Sequence, residues 1–265
     1  LNTLLSSSFV TTGETHTCEG SGESTYALWA ADNSSVSWES LHKEKSSTAY
    51  PSDWSPDTDS STKLQSVTDI DGNVYRTVVI GTQNWMAENL KVTKYRNGDN
   101  ITHILKNTTV SFAWNNNTDG AYGYYNDIAE NRDTYGMLYN WIAVDNSSSR
   151  YICPEGWNVP TDSEFSDLVD GLGSNPGAKL KEKGTVHWST DPGTSNSSGF
   201  TALPAGNRIA YSGFDYNLGT RATFWTSSPT GSTAKYLSLK DDDSSIFSVG
   251  SSSKKSGFSI RCLEY

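Results

Sequence analysis

Residues of the types that perform catalysis are scattered along this chain, and no spacing among them marks a catalytic site. The sequence lacks a His-Glu-x-x-His metal motif, a glycine-rich phosphate loop and a Gly-x-Ser-x-Gly nucleophile elbow. The members of a Ser–His–Asp triad need not be neighbours, so that arrangement stays open, but nothing points to one. We therefore expect a protein that is not an enzyme. We interpret His187 and Trp188 as a half-buried aromatic pair.

Two acidic clusters raise the question of calcium, which prefers oxygen ligands. Asp69, Asp71 and Asn73 alternate as at the start of a calcium-binding loop, but the glutamate that completes such a loop is missing. A hairpin turn is the better interpretation, because Asp and Asn bond to nearby backbone and Gly72 supplies a positive φ. Three consecutive acids at 241–243 are typical of a solvated loop tip. We expect no cofactor, with calcium as the alternative.

The stretch from Asn207 to Ser256 has the composition of a binding surface. Its aromatic and charged residues are interleaved with Ser, Thr, Gly and Asp. Tyr and Arg concentrate binding energy at interfaces, while Ser and Gly provide adaptable surroundings. The alternative is that these aromatic residues belong to the core. The candidate ligand-binding residues are Tyr211, Phe214, Tyr216, Arg221, Phe224, Lys235, Tyr236, Asp241 and Asp242.

One helix in the chain has clear start and stop signals. Thr161 and Glu164 have the spacing of a capping box, and Gly173 stands where a left-handed terminating residue is needed. Between them an apolar stripe follows helical spacing. The pattern predicts an amphipathic helix over 161–172. The stripe consists of Phe165, Leu168, Val169 and Leu172.

Most other signals predict strands. The clearest is Val74–Ile80, which is rich in β-branched residues and ends at Gly81. Further strands are predicted at 26–31, 200–203, 223–227, 234–239 and 256–263, where apolar residues cluster or alternate with polar ones. One helical turn is predicted at 177–183. A second helix is predicted from a stripe made of Met137, Leu138, Trp141 and Ile142.

The aromatic residues of the later strands divide into two groups. For Tyr211, Phe214, Tyr216 and Tyr236 we favour exposure over burial. Those that we expect in the core are Trp225, Leu237, Leu239 and Phe258.

The composition of the chain limits the classes of partner that it can bind. The chain has 265 residues and a net charge of −10, which opposes binding to nucleic acid or to anionic membranes. No apolar run approaches the length that spans a bilayer. Residues 1–66 are polar, whereas the chain from residue 67 onward is rich in aromatic side chains. We predict an N-terminal segment of unknown role over 1–66 and one domain over 67–265.

Seven sequence blocks resemble the Fibrobacter succinogenes major paralogous domain. The most specific is Cys-Pro-Glu-Gly-Trp-Asn-Val-Pro-Thr-Asp-Ser-Glu-Phe at 153–165. The others occur in the same order as in the family, and the resemblance covers roughly residues 67–265. They lie at 69–75, 80–90, 135–141, 199–206, 224–228 and 257–262.

The resemblance implies an α+β, C-type-lectin-like fold, with short twisted antiparallel strands, two flanking helices and long loops. In such a fold the termini come together, which implies a disulfide between Cys153 and Cys262. Two buried free thiols are the alternative, because cysteine is often simply a small core residue. Cys18 is then left over, either as a free thiol or paired with another chain.

The resemblance also implies a function. Proteins with this fold include the variable proteins of diversity-generating retroelements, whose C-terminal stretch is mutated on a rigid scaffold. We therefore expect a non-enzymatic receptor or adhesion protein with a C-terminal binding face. Its expected ligand is a protein, and its oligomeric state stays open. The alternatives are a carbohydrate-binding or adhesive surface protein and a copper oxidase related to formylglycine-generating enzymes. That oxidase needs two close cysteines, whereas only Cys262 lies in the corresponding region.

Location is predicted from the glycosylation sequons. Six Asn-x-Ser/Thr sites fit a protein outside the cytoplasm, at the cell surface, secreted or on a virus particle. They stand at Asn33, Asn100, Asn107, Asn116, Asn146 and Asn196.

Overall fold

The computed structural model describes residues 65–106, 113–145, 149–246 and 248–265, together with two short strands near the N-terminus. These are β1 (His16–Thr17) and β2 (Ala27–Leu28), which pair antiparallel. Strand β2 lies inside the strand predicted at 26–31. The chain divides into two compact units, residues 1–61 and 62–265. The boundary after residue 66 stays a prediction. Cys18 and the sequons at Asn33, Asn107 and Asn146 lie outside the described residues.

The second unit is a mixed α+β structure built from short elements. Its helices are α1 (Ala113–Asn116), α2 (Ala129–Tyr135), α3 (Asp162–Leu172) and α4 (Pro176–Leu180), with 3-10 turns at Tyr125–Asp127 and Trp141–Ala143. Its strands are β3 (Ser66–Thr68), β4 (Val74–Ile80), β5 (Gln83–Met86), β6 (Thr102–His103), β7 (Ala121–Gly123), β8 (Leu138–Asn140), β9 (Trp157–Asn158), β10 (Ala205–Arg208), β11 (Asp215–Leu218), β12 (Arg221–Thr230), β13 (Thr233–Lys240), β14 (Ser248–Ser253), β15 (Gly257–Phe258) and β16 (Leu263–Glu264).

These strands form two sheets. The larger has the order β14-β13-β12-β10-β15-β8-β7-β6, and β11 pairs with β10 beside this path. The smaller has the order β3-β4-β5-β16-β9. The C-terminal strand β16 therefore lies between β5 and β9, next to the strands that begin the unit. Among the described residues, no helix is long and apolar enough to cross a membrane.

Helix α3 confirms the prediction from its sequence. The Thr161 side chain accepts a bond from the Glu164 N–H, and the Glu164 carboxylate accepts one from the Thr161 N–H, so both halves of the capping box form. Phe165 and Leu168 are buried, and Gly173 ends the helix with φ 65°. Local signals were sufficient here because capping and the apolar stripe act within a few residues.

The second predicted helix is wrong. Residues 138–140 form strand β8, and Trp141–Ala143 forms a 3-10 turn capped by the Asn140 side chain. Every residue of β8 is buried, so neither face shows the polar pattern that marks a strand. A short apolar run buried on both sides cannot be told from a buried helix by its periodicity.

The strand predictions are partly right. Val74–Ile80 is confirmed, and the segments at 223–227 and 234–239 lie within β12 and β13. The segment at 256–263 splits into β15 and β16, which belong to different sheets. The turn predicted at 177–183 overlaps α4.

The predicted strand at 200–203 is absent, apart from one isolated bridge at Ala202. Thr201 has φ 53°, which is not a strand conformation. The carbonyls of Phe200 and Thr201 accept bonds from the Arg261 guanidinium instead of from a neighbouring strand. Tertiary contacts thus replace the backbone pairing that the sequence pattern suggested.

Arg261 is itself fully buried in the core. Its guanidinium lies 4.4 Å from the ring centroid of Phe200 and 5.6 Å from that of Phe224. It also donates to the Asn89 side chain at 2.8 Å and to the Met86 carbonyl. Burial lowers the pKa of Arg261 to about 9, so the group is still charged at neutral pH. The arginine therefore ties the C-terminal segment to two distant loops.

The disulfide between Cys153 and Cys262 is confirmed. Both residues are buried, with 2% and 0% of their surface exposed. The bond joins positions 109 residues apart and lies next to Arg261 in the chain. It fixes the segment before β9 to the C-terminal segment, so two parts of the smaller sheet are covalently linked.

Removing this bond should lower stability without changing the fold. We expect Cys153→Ser/Cys262→Ser to lose about 2–5 kcal/mol of unfolding free energy, because the bond restricts a long loop in the unfolded chain. Denaturant unfolding measures the loss. Cys18→Ser serves as the control and should unfold like the wild type. Equal midpoints for all three proteins would contradict a structural role.

Candidate functional site

Three aromatic side chains project from the β10–β11 hairpin. Tyr211 is 71% exposed, Phe214 37% and Tyr216 48%. Phe214, just before β11, and Tyr216 within it are both exposed, and the buried Asp215 stands between them. We call these three side chains the aromatic surface. The exposure favoured for these three residues from their composition is confirmed.

A fully buried arginine holds this hairpin in place. The Arg208 guanidinium donates to both carboxylate oxygens of Asp215, at 2.6 and 2.9 Å. It also donates to the Ile104 carbonyl at 2.7 Å, the Tyr124 carbonyl at 3.2 Å and the Asp127 carboxylate at 3.3 Å. One side chain thus joins β10, β11 and two segments about a hundred residues earlier in the chain.

The arginine is suited to this position by its chemistry. Its planar group carries five N–H donors, whereas a lysine would offer a single ammonium. Burial by itself lowers the pKa of Arg208, but the bonds and charges of Asp215 and Asp127 outweigh it and raise the pKa. Strand β7 leaves the necessary space, since a side chain at Gly123 would overlap the guanidinium. The Trp114 ring lies 4.9 Å away and covers one face of the group.

Residues from the loop after β6 extend the aromatic surface. The Lys106 ammonium lies 5.5 Å from the ring centroid of Phe214, and the Lys106 N–H donates to Asp127. Leu105 beside it is 54% exposed. Asn126 donates its backbone N–H to Asp215 at 2.8 Å, which ties the Tyr125–Asp127 turn to the hairpin. The Lys106 cation therefore lies beside the Phe214 ring of the aromatic surface.

An aromatic stack lies in the same neighbourhood. The exposed His103 ring stacks on Tyr122 at 4.8 Å and on Tyr124 at 5.2 Å. Burial lowers the pKa of His103, and the charge of Arg208 adds to this effect, whereas Asp127 opposes it. Sequence reasoning missed this stack and the role of Arg208. No local signal could have revealed either, because the partners are distant in the chain.

Two of the predicted ligand-binding residues are buried, which corrects the prediction. Phe224 has no exposed surface and packs edge-on against Phe200, with ring centroids 5.7 Å apart. Asp241 is only 9% exposed. Tyr236 is half-buried, with its ring 5.3 Å from that of Phe258. Phe224 belongs to a run of five buried residues in β12, 222–226, and Asp241 follows the last residue of β13.

The remaining three predicted residues lie in or next to strands β12 and β13. Lys235 forms an ion pair with Asp162 at 2.6 Å, which joins β13 to the start of α3. Arg221 is partly exposed at the start of β12, where it pairs with Lys240 in the ladder. Asp242 is exposed and lies 2.8 Å from the Lys240 ammonium. Burial of Trp225, Leu237, Leu239 and Phe258 is confirmed.

The acidic segment at 241–243 already has a cation. The buried Lys181 ammonium donates to the carbonyls of Lys240 at 2.8 Å and Asp243 at 2.5 Å. Burial lowers the pKa of Lys181, although the nearby aspartates oppose this. The Lys181 ammonium therefore fixes the backbone at both ends of the acidic segment.

The turn at Asp69 is a hairpin turn. Its carboxylate accepts bonds from the N–H groups of Asp71 and Asn73, both at 2.9 Å, and from the Tyr75 hydroxyl at 2.7 Å. Each oxygen thus has protein donors, as the local pattern predicted. Within the described part of the chain, no three His, Cys, Asp or Glu side chains are grouped to hold a metal.

The ring of His187 contacts the Glu182 carboxylate. Its Nδ1 lies 2.8 Å from the Glu182 carboxylate, and the Tyr135 ring meets it edge-on at 5.5 Å. Trp188 is fully buried, while His187 keeps part of its surface exposed. The half-buried pair predicted from the sequence is therefore confirmed in outline.

Comparison with known proteins gives one match. The family model of the Fibrobacter succinogenes major domain matches residues 78–264, which is more than half of the chain. No curated protein and no solved structure matches the chain.

Neighbouring residues of β11 should respond very differently to substitution. Asp215→Ala leaves the buried Arg208 without its main partner, so we expect a loss of about 3–5 kcal/mol in the free energy of unfolding. Tyr216→Ala removes an exposed side chain and should change it by less than about 0.5 kcal/mol. Urea unfolding of both variants tests the contrast. Similar losses would show that Arg208 does not organise the hairpin.

Proposed function

We propose that this chain, which belongs to the Fibrobacter succinogenes major domain family, is a non-enzymatic receptor or adhesion protein that binds a protein ligand. The aromatic surface is its binding site. One observation carries the proposal: Tyr211, Phe214 and Tyr216 are exposed on a hairpin whose backbone a buried ion pair holds in place.

Exposed rings on a fixed hairpin favour binding for energetic reasons. Tyrosine and phenylalanine offer large contact areas with few rotatable bonds, so little entropy is lost when a partner orders them. The Arg208 contacts to Ile104 and Asp215 hold the hairpin before any ligand arrives. Preorganisation of this kind raises affinity because the cost of ordering is already met in the free protein.

We assign the second unit to the C-type-lectin-like class as part of this proposal. The return of β16 to a position beside β5 supports it, as does the disulfide that holds the last strand near β9. In such a scaffold, the C-terminal strand and the disulfide hold the smaller sheet together. The loops in the last third of the chain can then lie on a fixed backbone.

The same arrangement suits a protein diversified by a retroelement. Tyr211, Phe214 and Tyr216 point away from the core, so substitutions there cost little stability. Arg208 and Asp215 are buried, so the backbone beneath the surface can stay constant while the surface changes. One hairpin thus contains both buried residues that hold the backbone and exposed residues that can change.

The disulfide bears on both location and chemistry. Buried disulfides persist in oxidising compartments, which supports a protein outside the cytoplasm, at the cell surface, secreted or on a virus particle. Cys262 is bonded to Cys153, so it offers no free thiolate for a two-cysteine copper site. The bonded state of Cys262 favours a binding protein over an oxidase.

Binding should depend on the aromatic surface. The full chain is screened against an array of purified cell-surface proteins from organisms of its habitat, and in parallel against a glycan array. We expect protein hits that the triple variant Tyr211→Ser/Phe214→Ser/Tyr216→Ser binds at least about tenfold more weakly, because exposed aromatic residues dominate binding energy.

The matched control is Val79→Ser, which alters an equally exposed apolar residue on the other sheet. It should keep the affinity of the wild type for every hit. Hits that survive the triple variant would overturn the proposed site. Hits confined to the glycan array would favour the carbohydrate-binding alternative.

Diversification makes a separate prediction about sibling genes. Sequencing copies of this gene from many individuals should find variation at Tyr211, Phe214 and Tyr216, and constancy at Arg208 and Asp215, because only the first three are exposed. A neighbouring reverse-transcriptase gene should accompany the variable copies. Uniform codons throughout 207–256 would contradict diversification and leave the binding proposal standing.

A further inference from the structure

Strand β14 forms one edge of the larger sheet. All six of its residues pair with β13, from Ser238↔Ser248 to Thr233↔Ser253. Within the described part of the chain, no strand pairs with its other side. An edge strand presents a row of unpaired N–H and C=O groups that can accept a further strand. The opposite edge of the sheet is β6, which is only two residues long.

The composition of β14 leaves this edge unguarded. Protein edges are commonly protected by proline, by charged side chains or by bulges. Strand β14 reads Ser-Val-Gly-Ser-Ser-Ser, with neither proline nor charge, and its pairing with β13 runs without a register shift. Val249 is 58% exposed, and Ser251 and Ser253 are exposed as well. Small side chains leave the backbone of the strand accessible.

Charge is distributed unevenly along the edge. The acidic segment 241–243 lies before β14, and Asp242 within it is exposed, with the Lys240 ammonium 2.8 Å away. Lys254 and Lys255 follow directly after the strand, and both keep part of their surface exposed. The Lys254 ammonium lies 4.4 Å from the ring centroid of Trp141, and the Lys255 ammonium donates to the Asn115 carbonyl, so both positive charges are held at this end of the strand. One end of the edge is therefore acidic and the other basic. A parallel neighbour of the same sequence would place like charges together, whereas an antiparallel neighbour would place opposite charges together.

We propose that two copies of this chain associate through antiparallel pairing of their β14 strands around a twofold axis. The interface is isologous, since each copy offers the same strand to the other. The basic end of each strand lies beside the acidic segment of its partner, which offsets the general repulsion between two chains of net charge −10. Backbone hydrogen bonds across the axis join the two large sheets into one.

The dimer has a consequence for binding, although the proposal does not depend on the proposed function. Strands β13 and β12 separate β14 from β10, so the pairing leaves the β10–β11 hairpin uncovered. Each dimer therefore carries two aromatic surfaces. Two linked sites raise the overall affinity for a ligand that is displayed in many copies, because the second contact forms within the same complex.

Sedimentation velocity of the full chain over a range of micromolar concentrations tests the proposal. We expect a dimer in the wild type that dissociates on dilution. Val249→Lys places a charge on the edge and should weaken association at least about tenfold. The control is Val79→Lys, which adds the same charge at a residue 61% exposed on the smaller sheet, and it should dimerise like the wild type. Circular dichroism checks that both variants are folded.

Hydrogen exchange distinguishes this interface from others. The outward-facing amides of β14 should exchange more slowly in the dimer than in the Val249→Lys monomer. A wild type that stays monomeric throughout, or a dimer that survives Val249→Lys, would overturn the proposal. Protected β14 amides in a monomer would overturn it too, since another part of the same chain would then cover the edge.

Discussion

The buried contact between Arg208 and Asp215 is the interaction on which the β10–β11 hairpin depends. A charge removed from water is costly unless it is paired and hydrogen-bonded. Arg208 meets this requirement with two carboxylates and two carbonyls, drawn from the hairpin and from two earlier segments. Because these partners come from separate parts of the chain, the contact ties the hairpin to both earlier segments.

The second buried arginine performs a similar task without a carboxylate bound to it. Arg261 donates to three carbonyls and the Asn89 side chain, and the rings of Phe200 and Phe224 cover its faces. The neighbouring Cys262 adds a covalent link to Cys153. Together they fix the C-terminal segment to the loops of the core. Long irregular connections can therefore remain ordered in a unit whose strands are mostly short.

These internal contacts explain how the buried side of the hairpin can be fixed while its outer side chains stay exposed to solvent. Along β11, the side chain of Asp215 points inward to Arg208, and that of Tyr216 points outward to solvent. Successive side chains of a strand point to opposite faces of the sheet, so these two neighbouring residues have different surroundings. At the far side of the same sheet, β14 has mostly small side chains, and no strand among the described residues pairs with its outer side. The hairpin suits recognition of a ligand, while β14 suits recognition of another copy.

Local sequence signals by themselves determined α3, the strand Val74–Ile80 and the Asp69 turn, because capping, alternation and turn chemistry act between near neighbours. Resemblance to a family added the Cys153–Cys262 bond. Composition identified the exposed rings but wrongly included Phe224. Aromatic residues occur both in the core and on binding surfaces, so their presence alone does not show whether they are exposed. Only the tertiary structure decided that β8 is a strand and that Arg208 reaches Ile104 and Asp127. Burial on both faces removes the periodic pattern from a segment, and a contact between residues a hundred positions apart leaves no trace in local spacing.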